Sequence, residues 1–337
     1  MRRRPLTRFI LALLEFTDLS PGGERGIAGY ARHRAMTTAA KTIITGFGDE
    51  ISSDLGVQLA TMKRLGVEAL DLRTAFGKNV LQLTDDEVDR VNEAVQSHGL
   101  RVQAVGSPVN KVKFSGRTQV EELQKLRRAA EIANRLGIQR IRIFTPETDP
   151  KGGREAWPEV RAWMVEQIQL ARDMGVILIH ENDARYFGAF PDNARRLYEE
   201  LAGPHFRAIF DFGNSVLIGY RTMRDWFPWL LPFLDTLHIK DAVEADGRFV
   251  FAGEGDGEMI ECFRFLFERG WNGPLTLEPH AQHAGPQGGF SGEQAFELAV
   301  NALRRVLLEA GGAEPNRSDR IAPCPLGPQE PLPLWLR

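Results

Sequence analysis

The stretch MGVILIHEN, residues 174–182, carries the signals that decide the fold. Met174 and Gly175 end a predicted helix, because glycine readily takes the left-handed conformation that terminates a helix. The short apolar run that follows is typical of a buried parallel strand. Glu181 and Asn182 come directly after this run. The stretch therefore predicts a helix followed by a strand, with an ionisable residue at the carboxyl end of the strand.

The same alternation recurs eight times between residues 42 and 311. The predicted strands are 42–46, 69–73, 102–106, 140–144, 176–180, 208–211, 236–240 and 275–278. The predicted helices begin near residues 55, 84, 119, 157, 192, 259 and 293, and Pro228 and Pro232 predict a short or broken helix within 223–234. Eight such units can form a closed barrel or an open, doubly wound sheet. No GxGxxG motif follows the first strand, so we predict an α/β fold of the (β/α)8 TIM-barrel type in a single domain.

Composition and charge exclude several classes of protein. The chain has 42 Lys and Arg residues against 45 Asp and Glu residues, so no basic field favours nucleic acid or an anionic membrane. Two cysteines, Cys262 and Cys324, are too few for a disulfide framework or a thiolate zinc site. No apolar run approaches the ~18 residues of a membrane helix. We expect a cytoplasmic protein that acts on a small molecule, with a homodimer or homotetramer as a possible assembly.

Both ends of the chain differ in composition from the predicted barrel. Residues 1–40 begin with an arginine run and a short apolar stretch that Glu15 interrupts, which is a poor match to an export signal. Residues 312–337 are rich in proline, which opposes both helices and central strands. We therefore expect an N-terminal extension at 1–40, a catalytic barrel at 41–311 and a proline-rich tail at 312–337.

Four ionisable residues stand at the ends of successive predicted strands. Glu181, Asp211, His238 and Glu278 end the fifth to eighth strands, and a TIM barrel places its site at this edge. Salt bridges at strand ends are the alternative, but three buried carboxylates would repel one another, and a divalent cation offsets that repulsion. Three carboxylates and one imidazole suit Mn²⁺, Mg²⁺ or Co²⁺, and also accept Zn²⁺. We predict one divalent metal per chain, with Mn²⁺ favoured.

Seven motifs carry a resemblance to a known family. They are GFGDEIS (46–52), DLRTAFGKNVLQL (71–83), IHEN (179–182), IFDFGN (209–214), HIKD (238–241), GEGDG (253–257) and TLEPH (276–280). Through them, the chain resembles the xylose isomerase-like TIM-barrel superfamily, in its branch of bacterial sugar phosphate isomerases and epimerases. The resemblance implies that Glu181, Asp211, His238 and Glu278 bind the metal. It also implies that Glu181 and Glu278 handle protons on opposite faces of the substrate.

The implied activity is a divalent-metal-dependent isomerase or epimerase of a sugar or sugar-like polyol or keto compound. A carboxylate removes the proton next to a carbonyl, an enediolate forms, and the proton returns to the neighbouring carbon or to the opposite face. The main alternative is a lyase, a dehydratase of the keto-inositol or dehydroshikimate type. A DNA endonuclease would need more histidine ligands and a basic groove. A metal-stabilised sugar-binding protein would not need the Glu181 and Glu278 pair.

Further residues are candidates for the substrate pocket. The predicted substrate-binding residues are Glu50, Arg73, Lys111, Asn214 and Lys240, with Lys78 and Asn79 as weaker candidates. Asn214 stands where ketose 3-epimerases of this superfamily often have a histidine. His180 should face away from Glu181, because side chains alternate along a strand, whereas His280 could line the pocket.

Two other features leave the substrate open. Aromatic residues after the fifth and sixth strands could stack on a sugar or simply pack in the core: Tyr186, Phe187, Phe190, Trp226 and Trp229. Gly288, Gly289, Ser291 and Gly292 precede the last helix, where many TIM barrels bind phosphate, although a flexible loop has the same composition. The sequence therefore does not decide whether the substrate is phosphorylated.

Overall fold

The computed structural model describes residues 42–148, 152–281 and 291–311. The predicted extensions at 1–40 and 312–337 lie outside the described residues, and the division of the chain into these three parts stays a prediction.

The strands and helices of the described residues alternate along the chain. The strands are β1 (Ile44–Phe47), β2 (Ala69–Leu72), β3 (Thr74–Ala75), β4 (Lys78–Asn79), β5 (Arg101–Val105), β6 (Arg140–Ile143), β7 (Ile177–Glu181), β8 (Phe206–Asp211), β9 (Leu234–Ile239), β10 (Asp241–Val243), β11 (Arg248–Val250) and β12 (Leu275–Leu277). The helices are α1 (Leu55–Arg64), α2 (Asp85–Ser97), α3 (Gly116–Arg135), α4 (Trp157–Met174), α5 (Pro191–Leu201), α6 (Phe212–Leu217), α7 (Phe227–Leu230), α8 (Met259–Glu268) and α9 (Gly292–Glu309).

Eight parallel strands close into a barrel in the order β1, β12, β9, β8, β7, β6, β5, β2. The predicted TIM barrel is therefore confirmed, and every predicted barrel strand lies within two residues of an observed one. Two short antiparallel hairpins were not predicted. The β3–β4 hairpin follows β2, and the β10–β11 hairpin follows β9, so both extend from the carboxyl ends of barrel strands.

Local signals in the sequence set the ends of the helices. Thr84 caps α2 through its hydroxyl, which accepts the N–H of Glu87, and Glu87 in turn accepts the N–H of Thr84. Helix α4 has Pro158 in its first turn and ends at Gly175, whose φ of 72° only glycine adopts easily. As predicted, the segment that contains Pro228 is divided into short helical turns. Among the described helices, none is long and apolar enough to cross a bilayer.

The alternation of side chains along the strands separates two regions of the protein. Ala104, Ile179 and Ile209 form a small apolar cluster of their own, apart from the large core between strands and helices. Glu181 lies two residues beyond Ile179, so it shares the inner face of the barrel. His180 points the other way, and its Nδ1 lies 2.7 Å from the hydroxyl of Tyr198, which confirms that it faces away from Glu181.

Candidate metal and catalytic site

The four residues at the ends of the last barrel strands converge on one point. Glu181 ends β7, Asp211 ends β8, His238 lies near the end of β9 and Glu278 directly follows β12. All four side chains are buried. One donor atom from each residue lies within 4.8 Å of the donor atoms of the other three. The structure therefore brings together the residues that the sequence suggested as metal ligands.

Unsatisfied polar atoms in this cluster face one another. His238 Nδ1 lies 3.3 Å from Glu181 Oε1 and 3.2 Å from Glu278 Oε2. Among the described residues, His238 Nδ1, Glu278 Oε2 and Asp211 Oδ2 make no hydrogen bond of regular geometry, although Lys240 Nζ lies 3.1 Å from Asp211 Oδ2. Buried polar atoms normally have partners, so three convergent exceptions call for an explanation. A small cation with oxygen and nitrogen ligands would satisfy all three atoms, so the donor set fits a divalent metal.

Each glutamate contacts an arginine through its other oxygen. Glu181 Oε2 lies 3.3 Å from Arg142 Nη1, and Glu278 Oε1 accepts a hydrogen bond of 2.9 Å from Arg73 Nη1. Both guanidinium groups pack on the ring of Phe47, at 4.9 and 4.6 Å from its centroid. Arg73 and Arg142 are buried, so the two ion pairs are shielded from solvent.

The charged groups around the two glutamates keep both of them ionised. Burial by itself would raise the pKa of Glu181, but the charges of His238 and Arg142 outweigh it and lower that pKa to about 2. Burial acts in the same sense on Glu278, and the charges of Lys240 and His280 hold its pKa well below the usual range. Two buried carboxylates at this site are therefore negatively charged in the absence of substrate.

The other two members of the cluster are shifted in the opposite direction. Burial disfavours a charged His238, but the neighbouring carboxylates Glu181 and Glu278 raise its pKa to about 9. Burial raises the pKa of Asp211 to about 6, and the charge of Lys240 only partly offsets this effect. Without a metal, a proton on His238 thus supplies part of the positive charge that the carboxylates require.

Asp211 is held by residues on three neighbouring elements. The side-chain amide of Asn182 donates to the Asp211 carbonyl at 3.0 Å and accepts the Asp211 N–H at 2.7 Å. The N–H of Asn214 donates to Asp211 Oδ1 at 2.7 Å, and Lys240 Nζ lies 3.1 Å from Asp211 Oδ2. Asn182 had no assigned role in the sequence, although the IHEN motif contains it. Through these two bonds, the Asn182 side chain extends the hydrogen bonding between β7 and β8 and fixes the backbone at Asp211.

A second group of polar residues surrounds the outer side of Glu278. His280 Nε2 lies 3.1 Å from Glu278 Oε1 and 3.2 Å from Glu50 Oε1, and these three residues form a second cluster of potential ligands. Arg73 Nη2 lies 3.3 Å from Glu50 Oε1 and supplies positive charge there. The hydroxyl of Ser291 donates to Glu50 Oε2 at 2.8 Å, so it already serves a carboxylate. Of the suggested phosphate-binding glycines, those at 288 and 289 lie outside the described residues.

The predicted substrate-binding residues are not all placed alike. Glu50, Arg73, Asn214 and Lys240 each contact the cluster or its immediate partners, and Asn214 Nδ2 lies 3.3 Å from Glu181 Oε1. Lys111 is further out: its Nζ lies 3.1 Å from Asp183 and 4.3 Å from the centroid of the Phe144 ring.

The weaker candidates have other roles. Lys78 pairs with Glu87 on α2, and Asn79 caps a short helical turn, so their contacts lie in the β3–β4 region. The aromatic candidates serve mainly as packing: Phe187 and Trp226 are buried in the core, and Tyr186 lies on Phe144.

Arg142 is a site residue that the sequence reasoning missed. It occupies the middle of β6, which reads Arg-Ile-Arg-Ile and lies among buried parallel strands. A charge is rare inside a strand of this kind because its burial is costly unless it is paired. That rarity was the available signal, but its partner Glu181 lies on another strand and could not be named from the sequence.

The chain belongs to the xylose isomerase-like TIM barrel family, whose model matches residues 59–306. The matched segment includes all four residues of the metal-ligand cluster. A comparison with curated protein sequences gave no significant match.

Several solved structures share the fold at low sequence identity. A xylose isomerase domain protein from Planctomyces limnophilus is 15% identical, with a TM-score of 0.61 over 81% of this chain and 98% of that chain. A D-allulose 3-epimerase from Methylomonas sp., solved with D-allulose, is 16% identical, with a TM-score of 0.61 over 80% of this chain and 98% of that chain. A xylose isomerase-like TIM barrel protein from Mycobacterium smegmatis, solved with magnesium, is 16% identical, with a TM-score of 0.57 over 79% of this chain and 98% of that chain. At these identities the likeness establishes the fold.

Proposed function

We propose that this chain is a divalent-metal-dependent isomerase or epimerase of a sugar or sugar-like polyol or keto compound. The observation that supports the proposal is the paired arrangement of Glu181 and Glu278. Each turns one oxygen to His238 Nδ1 and the other to its own buried arginine. Two ionised carboxylates that face one centre suit removal of a proton from one face of a carbon and its return to the other face.

Glu181, Asp211, His238 and Glu278 are the residues that would hold the metal. When bound, the ion would polarise the substrate carbonyl and offset the charge of the three carboxylates. Mn²⁺ is our first choice for this ligand set, with Mg²⁺, Co²⁺ and Zn²⁺ as alternatives.

The low pKa values define what the two glutamates can do. In the metal-free protein the pKa of Glu181 is lowered, against the effect of burial, to about 2, chiefly by His238 and then by Arg142, so this carboxylate is ionised but is a weak base. The substrate C–H must therefore be acidified by positive charge near the carbonyl oxygen. The Lys240 ammonium, 3.1 Å from Asp211 Oδ2, is one such charge from the chain itself. The Arg142 contact, which helps to lower the pKa of Glu181, also favours release of the captured proton.

The surrounding residues suit a substrate with several hydroxyl groups. Glu50, Asn214 and Lys240 offer acceptors and donors around the cluster, and we propose that they orient the substrate with Arg73, while Lys111 acts from the rim. The Methylomonas neighbour is a D-allulose 3-epimerase, which agrees with the sugar class. His280 contacts Glu278 and is 16% exposed at its side chain, so it connects this carboxylate with the solvent side.

The test is exchange of substrate hydrogen with D2O, followed by proton NMR on a panel of aldoses and ketoses with each of the four metals. Wild type should incorporate deuterium next to the carbonyl. Glu181→Gln and Glu278→Gln should each lower the exchange rate at least about 100-fold, the lower end of general acid–base contributions. The exposed Glu159→Gln is the matched control and should exchange like wild type.

Product mass separates the proposed activity from its main alternative. An isomerase or epimerase leaves the mass unchanged, whereas a dehydratase product has lost one water. If no sugar exchanges with any metal, or if both glutamine variants exchange at the wild-type rate, the proposed function is wrong.

A further inference from the structure

Asp241, the first residue of β10, accepts hydrogen bonds from four backbone N–H groups on one carboxylate. Its Oδ1 accepts from Ala242 at 2.9 Å and from Gly257 at 3.0 Å. Its Oδ2 accepts from Gly253 at 3.0 Å and from Gly255 at 3.1 Å. A buried carboxylate with two donors on each oxygen is fully satisfied, so this cradle ties the 253–257 loop to the end of β9.

The glycines of the GEGDG motif are required by this cradle. A Cβ at position 255 would lie 2.4 Å from the Ala242 carbonyl oxygen and 2.6 Å from Asp241 Oδ1. A Cβ at position 257 would lie 2.7 Å from Asp241 Oδ1. Real side chains do not approach so closely, so the motif reflects close backbone approach to Asp241.

The same loop also fastens the β10–β11 hairpin. The N–H of Asp256 donates to the Ala242 carbonyl at 2.8 Å, and Asp256 Oδ2 accepts the N–H of Glu244 at 2.8 Å. One end of the hairpin is therefore bonded to the loop as well as to its own partner strand. Such a hairpin is a fixed wall, since moving it would break bonds to several backbone groups together.

Phe249 projects from this hairpin toward the site. Its ring centroid lies 5.4 Å from that of His280, at an interplanar angle of 76°, and 5.4 Å from Lys240 Nζ. Lys240 contacts Asp211, and His280 contacts Glu278, so both neighbours of the ring touch the metal-ligand cluster. The ring itself is only partly buried. An aromatic surface thus stands beside two polar groups at the mouth of the barrel.

We propose that Phe249 is a specificity-determining residue, and that the Asp241 cradle holds it as a wall of the substrate pocket. The inference rests on the proposed function for its substrate class, a polyhydroxy compound. The C–H face of such a compound packs well on an aromatic ring, while Lys240 and His280 beside the ring serve its hydroxyl groups. A fixed ring also limits how far the substrate chain can extend in this direction.

The first experiment compares Phe249→Ala and Phe249→Leu with Val250→Ala. Val250 follows on the same strand and faces the other side, so it controls for damage to the hairpin. With ketopentoses, ketohexoses and ketoheptoses as substrates, Phe249→Ala should raise KM about tenfold for the preferred sugar and favour longer chains. The KM of Phe249→Leu should lie between those of wild type and Phe249→Ala. Co²⁺ binding should be unchanged in all three variants. Wild-type KM values and chain-length preference in Phe249→Ala would overturn the proposal.

The second experiment tests the cradle without turnover. Asp241→Asn has the same shape, but its NH2 group would face two of the four N–H donors. Hydrogen exchange of residues 241–257 should become faster than in wild type. The Co²⁺-loaded variant should also show a weaker change of visible absorption when xylitol is added. Unchanged hydrogen exchange together with an unchanged xylitol response would refute the proposal that the Asp241 cradle holds Phe249 as a wall of the pocket. Because this readout needs no turnover, failure of the cradle and wall can be told apart from failure of the proposed function.

Discussion

Protonation of His238 should make metal binding strongly dependent on pH. In the metal-free protein, the carboxylates of Glu181 and Glu278 outweigh burial and raise the pKa of His238 from 6.5 to about 9. A metal ligand must be the neutral imidazole, so the ion has to displace this proton. Between pH 6.5 and 9, the apparent affinity for Mn²⁺ should therefore rise by up to about tenfold for each pH unit.

The raised pKa of His238 also predicts how the stability of the metal-free protein depends on pH. A raised pKa means that the folded chain binds the proton more tightly than the unfolded chain. The resulting stabilisation is complete below pH 6.5 and is lost as the pH rises through about 9. Its size is about 3 kcal/mol, at about 1.4 kcal/mol for each tenfold change in proton affinity. Burial raises the pKa values of Asp71 and Asp211 to about 6, so these groups titrate below this window.

Two measurements check this reasoning. Urea unfolding of chelator-treated protein gives the free energy of unfolding across the window, and calorimetry in buffers of different ionisation enthalpy counts the protons that Mn²⁺ releases. His238→Gln should remove the loss of stability with rising pH, whereas His205→Gln, which replaces a partly buried histidine on the loop before β8, should retain it. Parallel loss of stability in wild type and His238→Gln, or no proton release on metal binding, would refute the argument.

Three further predictions concern buried polar groups. Asn182→Ala removes both bonds to the Asp211 backbone. It should weaken Co²⁺ binding about 10- to 100-fold and alter the absorption spectrum of the bound ion. An unaltered spectrum would contradict the positioning role of Asn182. Because burial raises the pKa of Asp71 to about 6, its ionisation destabilises the fold as pH rises from 3.8 to about 6. Asp71→Asn should therefore gain up to about 3 kcal/mol of unfolding free energy above that range and none at pH 3.8, as measured by urea titration. Tyr198→Phe leaves His180 Nδ1 without its 2.7 Å partner and should lower the unfolding free energy by about 1–3 kcal/mol, and equal stability in the same assay would show that the bond contributes little.

The barrel was predictable because its signals are local. Each helix end, strand and cap is encoded within a few residues, as in the Thr84 capping box and the Gly175 terminator. The two hairpins were not predictable, because they lack such local signals. Strands of two or three residues, such as β3 and β10, are too short to show an alternating pattern of apolar and polar side chains. Their positions depend on tertiary contacts, including the cradle around Asp241.

The candidate site, too, has a part that could be predicted from the sequence and a part that could not. The four candidate ligands could be found because each marks the end of a strand, and parallel strands in a barrel end at one edge. Arg73, Asn214 and Lys240 could be named as pocket residues, but Arg142 was missed, and none of the pairings with the ligands could be foreseen because the partners are distant in sequence. Arg142 is 39 residues from Glu181, and Arg73 is 205 residues from Glu278. Phe249 escaped notice because it belongs to a hairpin that the sequence did not reveal.

The distribution of charge around the barrel explains why these distant pairs exist. The anions Glu181, Asp211 and Glu278 come from β7, β8 and the end of β12, whereas Arg73 and Arg142 come from the end of β2 and from β6. Three carboxylates brought together in a dry interior would oppose closure of the barrel unless cations approached from the other strands. The arginines meet this need before any metal binds, and they do so on the outer oxygens of the two glutamates. The inner oxygens are thereby left facing His238, at the point where we propose that the metal binds.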